Sequence, residues 1–305
     1  MLHPRATVRS AAFRLPQKGG SMLGSSRTGP DTCYDVQQYV VAILDIMGQT
    51  EALRVVGNPL DDGCDVSGIP ERWRRAAAPV FQLQKHFRNA LLNISRDGRF
   101  IGLDSRLVWQ AFGDSVVVGV PFPSNPSRFS DTYGLVLSCA AALLGGLIAK
   151  VPLQCSVELG LATTDLFPHG QVYGPALEEV HTLLVEKAEF PRVIVGPRLR
   201  RVLGDAASRR IGEADDMAEG WAKHASGCLA VLSDADELCY VDYLGRGYAV
   251  AVGGLEHMLT DIIDARLWIE QEERHFREAG RCDRAAKYAR LREYFESRVR
   301  TGGPI

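Results

Sequence analysis

Two aspartates stand where carboxylates can do chemistry. Asp45 follows an unbroken apolar run, Tyr39-Val40-Val41-Ala42-Ile43-Leu44, and Asp114 follows Gly113 between two strand-like segments. They are 69 positions apart in the chain, a separation that neighbouring strands of one sheet can close at a single edge. Carboxylates that converge without a basic partner repel each other, and both then hold their protons more tightly unless a cation lies between them. A pair of Mg²⁺ or Mn²⁺ ions resolves that conflict, because hard cations take carboxylate oxygens together with substrate phosphates. Asp45 is followed by Ile46-Met47-Gly48-Gln49-Thr50. Gly48 allows close backbone approach, and successive N–H groups entering a helix can cradle a triphosphate. The combination points to two-metal phosphoryl chemistry on a nucleotide, with Asp45 and Asp114 as catalytic metal ligands and Gly48 and Gln49 beside the nucleotide. Each piece also has a plainer reading: Gly-Asp is a common turn, and Asp after a strand is a common helix N-cap.

The elements that would position these residues can be read from apolar periodicity. Residues 39–44 predict a central strand buried on both faces. Residues 50–70, with Gly57, Pro59, Gly63, Gly68 and Pro70, predict a loop. Residues 71–94 predict a helix with Phe81, Leu83, His86, Phe87 and Leu91 on one face. A hairpin follows, 107–112 and 115–120 around Gly113-Asp114. Residues 134–149 predict an apolar helix, 155–162 a strand, 175–187 a helix with Pro175 in its first turn, and 193–195 a short strand. Residues 227–252 predict two or three strands around Asp234-Ala235-Asp236, and 266–300 a charged amphipathic helix. The order β-α-β-β-α-β-α-β predicts an α+β sandwich of the ferredoxin-like or palm-like kind. The expected domains are a disordered tail over 1–35, a catalytic domain over 36–254 and a C-terminal helical extension over 255–305.

Composition narrows the class. The 305 residues are 46% hydrophobic and 24% charged, with 35 Lys+Arg against 37 Asp+Glu and a net charge of −2. That excludes wholesale disorder and collagen, and no global basic field points to nucleic acid or an anionic membrane surface. The seven cysteines are scattered and never CxxC, which predicts a reduced, cytoplasmic setting with no disulfide framework and no structural zinc. The most apolar stretch, 134–149, falls short of the ~20 residues that span a bilayer. Trp73, Trp109, Trp221 and Trp268 read as core or half-buried packing, and His86, His169 and His181 lack metal spacing.

At the chemistry-bearing residues the sequence resembles a class III nucleotidyl cyclase catalytic domain. That family has an apolar strand ending Asp-Ile-x-Gly-Phe, a hairpin with Gly-Asp, and later a strand with a Gly-rich sequel and a helix. The counterparts are Asp45-Ile46-Met47-Gly48-Gln49, then Phe112-Gly113-Asp114, then Val157-Glu158-Leu159-Gly160-Leu161-Ala162, with His169-Gly170-Gln171-Val172-Tyr173-Gly174-Pro175-Ala176 as the sequel. The run Gly174-Pro175-Ala176-Leu177, with Ala188-Glu189-Phe190-Pro191-Arg192-Val193-Ile194-Val195 after it, is similar to the pyrimidine cyclases of the Pycsar antiphage systems. The match covers about residues 36 to 250.

The resemblance implies that Asp45 and Asp114 bind two Mn²⁺ or Mg²⁺ ions, with the Ile46 backbone carbonyl as a further ligand. It implies a nucleoside triphosphate substrate, UTP favoured, converted to the 3′,5′-cyclic monophosphate and pyrophosphate. It further implies a head-to-tail homodimer with sites at the interface, and a separate cyclic-nucleotide-responsive effector. The positions that read the base hold Gln110 and Gln171, whose amides both donate and accept. The helix positions that commonly carry Asn and a transition-state Arg hold Glu178 and Thr182, so another cation is needed; Lys187 and Arg192 are candidates for phosphate contacts, or are solvated helix-end charges. Other readings are a cytidylate or adenylate cyclase, and a degenerate cyclase-like regulatory module. A diguanylate cyclase is disfavoured, since no Gly-Gly-Asp/Glu-Glu-Phe hairpin occurs.

Overall fold

The structure, a computed structural model, describes residues 35–49, 69–122, 129–164, 170–208, 216–235 and 237–300. The expected N-terminal tail up to residue 34, most of the expected loop over 50–70, and His169 lie outside these residues.

Strand β1 (Gln37–Ile46) is antiparallel to both of its neighbours, β3 (Ser115–Pro121) and β4 (Leu153–Ala162). Its unbroken apolar sequence has a simple cause: both of its faces are covered. Val40, Ala42 and Leu44 enter a large core beneath α1 (Ile69–Ser95) and α2 (Phe129–Ile148). Tyr39, Val41 and Ile43 enter a second core beneath α3 (Pro175–Lys187), joined there by Val117, Val180 and Leu184. Strand β2 (Val108–Phe112) closes a hairpin with β3 through Gly113-Asp114. The spatial order β4-β1-β3-β2, built from a β-α-β-β-α-β chain order, is the ferredoxin-like arrangement. The fold is α+β, as the element order predicts.

Beyond β4 the sheet grows at one side only. Strand β5 (Val193–Val195) pairs parallel with β4 after the α3 crossover, β7 (Leu238–Val241) pairs antiparallel with β5, and β6 (Leu232–Ala235) closes that edge. Helices α4 (Pro197–Ser208) and α5 (Asp216–Ala230) connect β5 to β6. They are absent from the periodicity reading. The third strand expected within 227–252 is helix α6 (Arg246–Val252), which buries Tyr248, Ala249 and Ala251.

Helix α2 is long and apolar enough to cross a membrane, but 83% of that window is buried inside the fold; it is a core helix. On α1 the buried stripe is Ala76, Leu83, Phe87, Ala90, Leu91 and Ile94, while Phe81 is exposed, so the expected face is rotated. Trp73 and Trp109 are also exposed, against expectation. The charged helix expected over 266–300 is broken in two, α7 (Leu259–Glu278) and α8 (Cys282–Arg300), folded into a hairpin. Buried Glu273 of α7 holds it closed by accepting from Arg292 Nε of α8 at 2.8 Å, and it also accepts from Arg277 one turn along α7. Trp268 and Phe276 of α7 pack on Tyr288 of α8.

Candidate active site

The register of the sheet brings the predicted carboxylates together. Asp45 lies directly opposite Ser115 on β3 and Gln154 on β4. Ser115 immediately follows Asp114, so the hairpin tip and the end of β1 share one edge. Ser115 Oγ donates to Asp45 Oδ1 at 2.8 Å, and Gln154 Nε2 donates to Oδ2 at 3.2 Å. Burial pushes the Asp45 carboxyl above its ordinary range and the charge of Asp114 adds to that, while the hydrogen bonds from Ser115, Gln154 and the Ile46 N–H oppose it. Those three hydrogen-bond partners are all neutral.

This donor set fits divalent cations. Two carboxylates destabilise each other at a half-buried edge, and a cation between them would reverse that penalty. Among the described residues no three His, Cys, Asp or Glu side chains cluster as a metal site. The set is instead two carboxylates, with the Ile46 carbonyl as the main-chain oxygen next to Asp45.

Residues on alternate positions of a strand share a face, so Asp45 projects to the α3 side with Ile43, and Ser115 with Val117. A cleft of about 630 Å³ opens on that side between the sheet and the start of α3. Ile43, Phe112, Ser115 and Val117 form its floor, and Tyr173, Glu178 and His181 its rim. Phe112 is 48% and Tyr173 57% exposed, so the cleft presents bare aromatic surface beside the carboxylates. Helix α3 starts at this rim because Gly174 holds φ at +136°, and a Cβ there would lie 2.9 Å from the Leu161 carbonyl oxygen.

The remaining expected residues divide. Gln110 faces the same side as its register partner Val117, and both of its amide atoms are buried without a hydrogen-bond partner. Gly48 forms the turn after β1 with φ +86°, suited to close approach. Gln49 is a correction: it is 3% exposed and its Nε2 donates to the Ala76 carbonyl at 2.5 Å, so its side chain ties the β1 turn to α1 and not to a ligand. Arg192 is a second correction. It is 3% exposed, lies 4.7 Å from the Phe190 ring, and donates to the Lys187 carbonyl at 2.7 Å; it fastens the end of α3 and does not meet a phosphate from solvent. Lys187 is exposed at that helix end and does not line the cleft, and Gln171 does not line it either. Glu178 lies on the rim and Thr182 one turn further along α3.

Sequence reading misses Ser115 and Gln154, because only the strand register shows that they flank Asp45. It also misses Arg284, whose Nη2 donates to the Gly48 carbonyl at 3.2 Å across 236 positions of chain.

No protein-family model matches the chain, and no curated protein matches it. Among solved structures, the adenylyl cyclase CyaB from P. aeruginosa is similar at 16% identity, over 56% of this chain and 82% of that one, with a TM-score of 0.38. A class III adenylyl cyclase-like ATP-binding protein from Pseudomonas aeruginosa is similar at 17% identity, over 63% of this chain and 39% of that one, with a TM-score of 0.38. A bacterial light-regulated adenylyl cyclase is similar at 9% identity, over 75% of this chain and 98% of that one, with a TM-score of 0.35. At these scores the likenesses say nothing of this chain's substrate, and the site is read from its own residues.

Proposed function

We propose that the chain is a nucleotide cyclase that converts a nucleoside triphosphate, UTP in first place, to its 3′,5′-cyclic monophosphate and pyrophosphate. The observation that carries this reading is the convergence of Asp45 and Asp114 at one sheet edge, with Asp45 held by Ser115 and Gln154, beside an open cleft of nucleoside size. Asp45 and Asp114, with the Ile46 carbonyl, hold two divalent ions, Mn²⁺ or Mg²⁺. Such ions supply acidification of the ribose 3′-hydroxyl and charge neutralisation on the phosphates when bound.

The protein's own residues do the rest. Ser115 and Gln154 fix the Asp45 oxygens, so the carboxylate meets its ligand without reorganising. The exposed aromatic surface of Phe112 and Tyr173 offers a base apolar faces to lie against. Gln110 does not line the cleft but lies beside Val117 of its floor; its buried, unpartnered amide, donor plus acceptor, would suit a uracil edge if the cleft opened to it. Exposed Phe112 and Tyr173 in the cleft support a head-to-tail homodimer that completes each site. A cyclic pyrimidine nucleotide made here would act on a separate effector, as in antiphage signalling.

Incubating the protein with each of the four ribonucleoside triphosphates and Mn²⁺, and separating products by mass, tests the reading. Cyclic UMP with pyrophosphate is the expected product, and no cyclic product from any of the four overturns the enzyme. A regulatory module without turnover is the second reading, favoured by Glu178 and Thr182 on α3 in place of the Asn and Arg that the resemblance leads one to expect. It predicts metal-dependent nucleotide binding with no cyclic product.

A further inference from the structure

The turn after β1 faces a second cavity, of about 510 Å³. Met47 and Gly48 form one wall, and Arg281, Asp283, Arg284 and Lys287 at the start of α8 form another. Among the described residues that line it, three cations and one carboxylate face the β1 turn. By contrast, the described residues that line the aromatic cleft include no lysine or arginine. The described cationic groups that reach this turn come from the C-terminal hairpin.

The cluster is built in advance. Arg284 Nη2 donates to the Gly48 carbonyl at 3.2 Å. Gly48 leaves the room for it, because a Cβ there would lie 2.7 Å from that nitrogen. The guanidinium carbons of Arg281 and Arg284 stand 5.3 and 5.4 Å from the centre of the Phe276 ring, which is itself buried and stacked on Tyr288. Further along α8, Arg290 pairs with Glu189, just beyond the end of α3. Helix α8 thus runs along the sheet edge where β1 ends. Guanidinium groups held on an aromatic ring lose little freedom when they meet an oxyanion, and planar Arg matches phosphate oxygens in pairs. Gly48 is three residues past Asp45, so roughly 11 Å at most separates their Cα atoms, a gap that a triphosphate and the side chains reaching toward it from both ends can bridge.

We propose that Arg281, Arg284 and Lys287 form a polyphosphate site that grips the β- and γ-phosphates of the triphosphate whose α-phosphate lies at Asp45 and Asp114. The inference rests on the nucleotide reading above and deepens it. In cyclisation the bond from the ribose 3′-oxygen to the α-phosphorus forms, and the bond from that phosphorus to the bridging oxygen breaks. The 3′-hydroxyl proton passes to solvent, and pyrophosphate leaves with the bonding electron pair. The negative charge gathering on pyrophosphate then develops against the three cations of α7–α8.

Inorganic tripolyphosphate is the probe, titrated calorimetrically into the full-length protein. Arg281→Gln and Lys287→Gln are each expected to weaken its binding about tenfold, the effect of one charge-assisted contact. Arg284→Lys keeps the charge and tests the grip without emptying the Gly48 contact. Cys282 is exposed and lines the same cavity, so its alkylation, followed by mass spectrometry at that residue, is expected to slow when tripolyphosphate is present. Thermal unfolding of each variant separates a lost contact from a lost fold. If the protein cyclises a nucleotide while the variants change neither tripolyphosphate affinity nor substrate KM, the polyphosphate site is overturned and the cyclase reading stands. If no nucleotide is cyclised but the variants lose tripolyphosphate and Cys282 is protected by it, the anion site stands and the cyclase reading falls.

Discussion

Ser115 Oγ donates to Asp45 Oδ1 at 2.8 Å across the β3–β1 register pair, so the residue that follows one candidate metal ligand orients the other. The hairpin and the central strand are thereby one functional unit. A hydroxyl on a ligating carboxylate fixes which lone pairs remain for the metal. Ser115→Ala should leave the fold intact, raise the Mn²⁺ concentration needed for half-maximal activity, and lower activity about 10- to 100-fold. A metal titration of activity checks this; an unchanged Mn²⁺ dependence would separate Ser115 from the site.

Asp45→Asn gives a prediction in the opposite sense for stability. Burial and Asp114 raise the carboxyl of Asp45 in the fold above its ordinary value. The folded state therefore favours the protonated form. Its contribution to stability is present below the ordinary carboxylate range and is lost as pH rises through the raised value. A neutral amide removes that loss. The metal-free variant should melt higher than metal-free wild type at pH 7–8, with the difference fading toward pH 3, and Mn²⁺ should no longer raise its melting temperature. Thermal melts over a pH series with and without Mn²⁺ read all three effects.

Thiol chemistry should be confined to a few sites. Burial pushes the Cys155 and Cys228 thiols well up, and burial with the nearby Asp234 charge pushes Cys239 up to about 12. The thiolate is the nucleophile, so these three should resist alkylation at pH 7.5, whereas exposed Cys282 should label quickly. Residue-resolved mass spectrometry of native and denatured protein provides the comparison.

Glu158 is buried on β4 and caps the start of α4 from a distance. Its carboxylate accepts from the N–H groups of Leu199 at 2.8 Å and Arg198 at 3.2 Å, and from its own neighbour Leu159 at 2.7 Å. Glu158→Ala should cost about 1–3 kcal/mol, since buried donors would lose their acceptor. Urea unfolding measures it, and the loss should be the same with and without Mn²⁺, because Glu158 does not hold the cations.

Glu273→Ala should loosen the C-terminal hairpin more than the sheet. Glu273 accepts from Arg292 at 2.8 Å and also binds Arg277, and losing charged hydrogen bonds of this kind costs about 1.5–3 kcal/mol each way. Hydrogen exchange should rise over α7 and α8 while β1, β3 and β4 stay protected. Uniform exchange across the chain would mean that hairpin and sheet unfold together.

The parts of the fold that can be read locally are those with local causes. The apolar run of β1 reads as a doubly covered strand because Val40, Ala42 and Leu44 on one side and Tyr39, Val41 and Ile43 on the other are all buried. Helix α3 is bounded by Pro175 and Lys187, a start and an end signal of the backbone itself. Asp45 and Asp114 are visible for the same reason, each sitting at the punctuation between elements. What escapes is decided at long range. Helix α6 carries strand-favouring Tyr248, Val250 and Val252, yet buries Tyr248 and Ala251 as a helix, since tertiary packing outweighs β-propensity. Helices α4 and α5 show few buried apolar positions, Leu199, Leu203 and Ala206 in α4. Ser115 and Gln154 become partners of Asp45 only through register. Gln49 and Arg192 have the right chemistry for a phosphate but are consumed by Ala76 and Lys187, which depends on packing that spacing does not encode.

The contact between Gly48 and Arg284 also orders events in time. The ribosome adds Gly48 long before Arg284, 236 positions later, so the turn after β1 waits through most of translation for its guanidinium. A nascent chain interrupted before α8 would lack that clasp, and with it Ala285, Tyr288, Leu291 and Phe295 of the core that covers one face of β1.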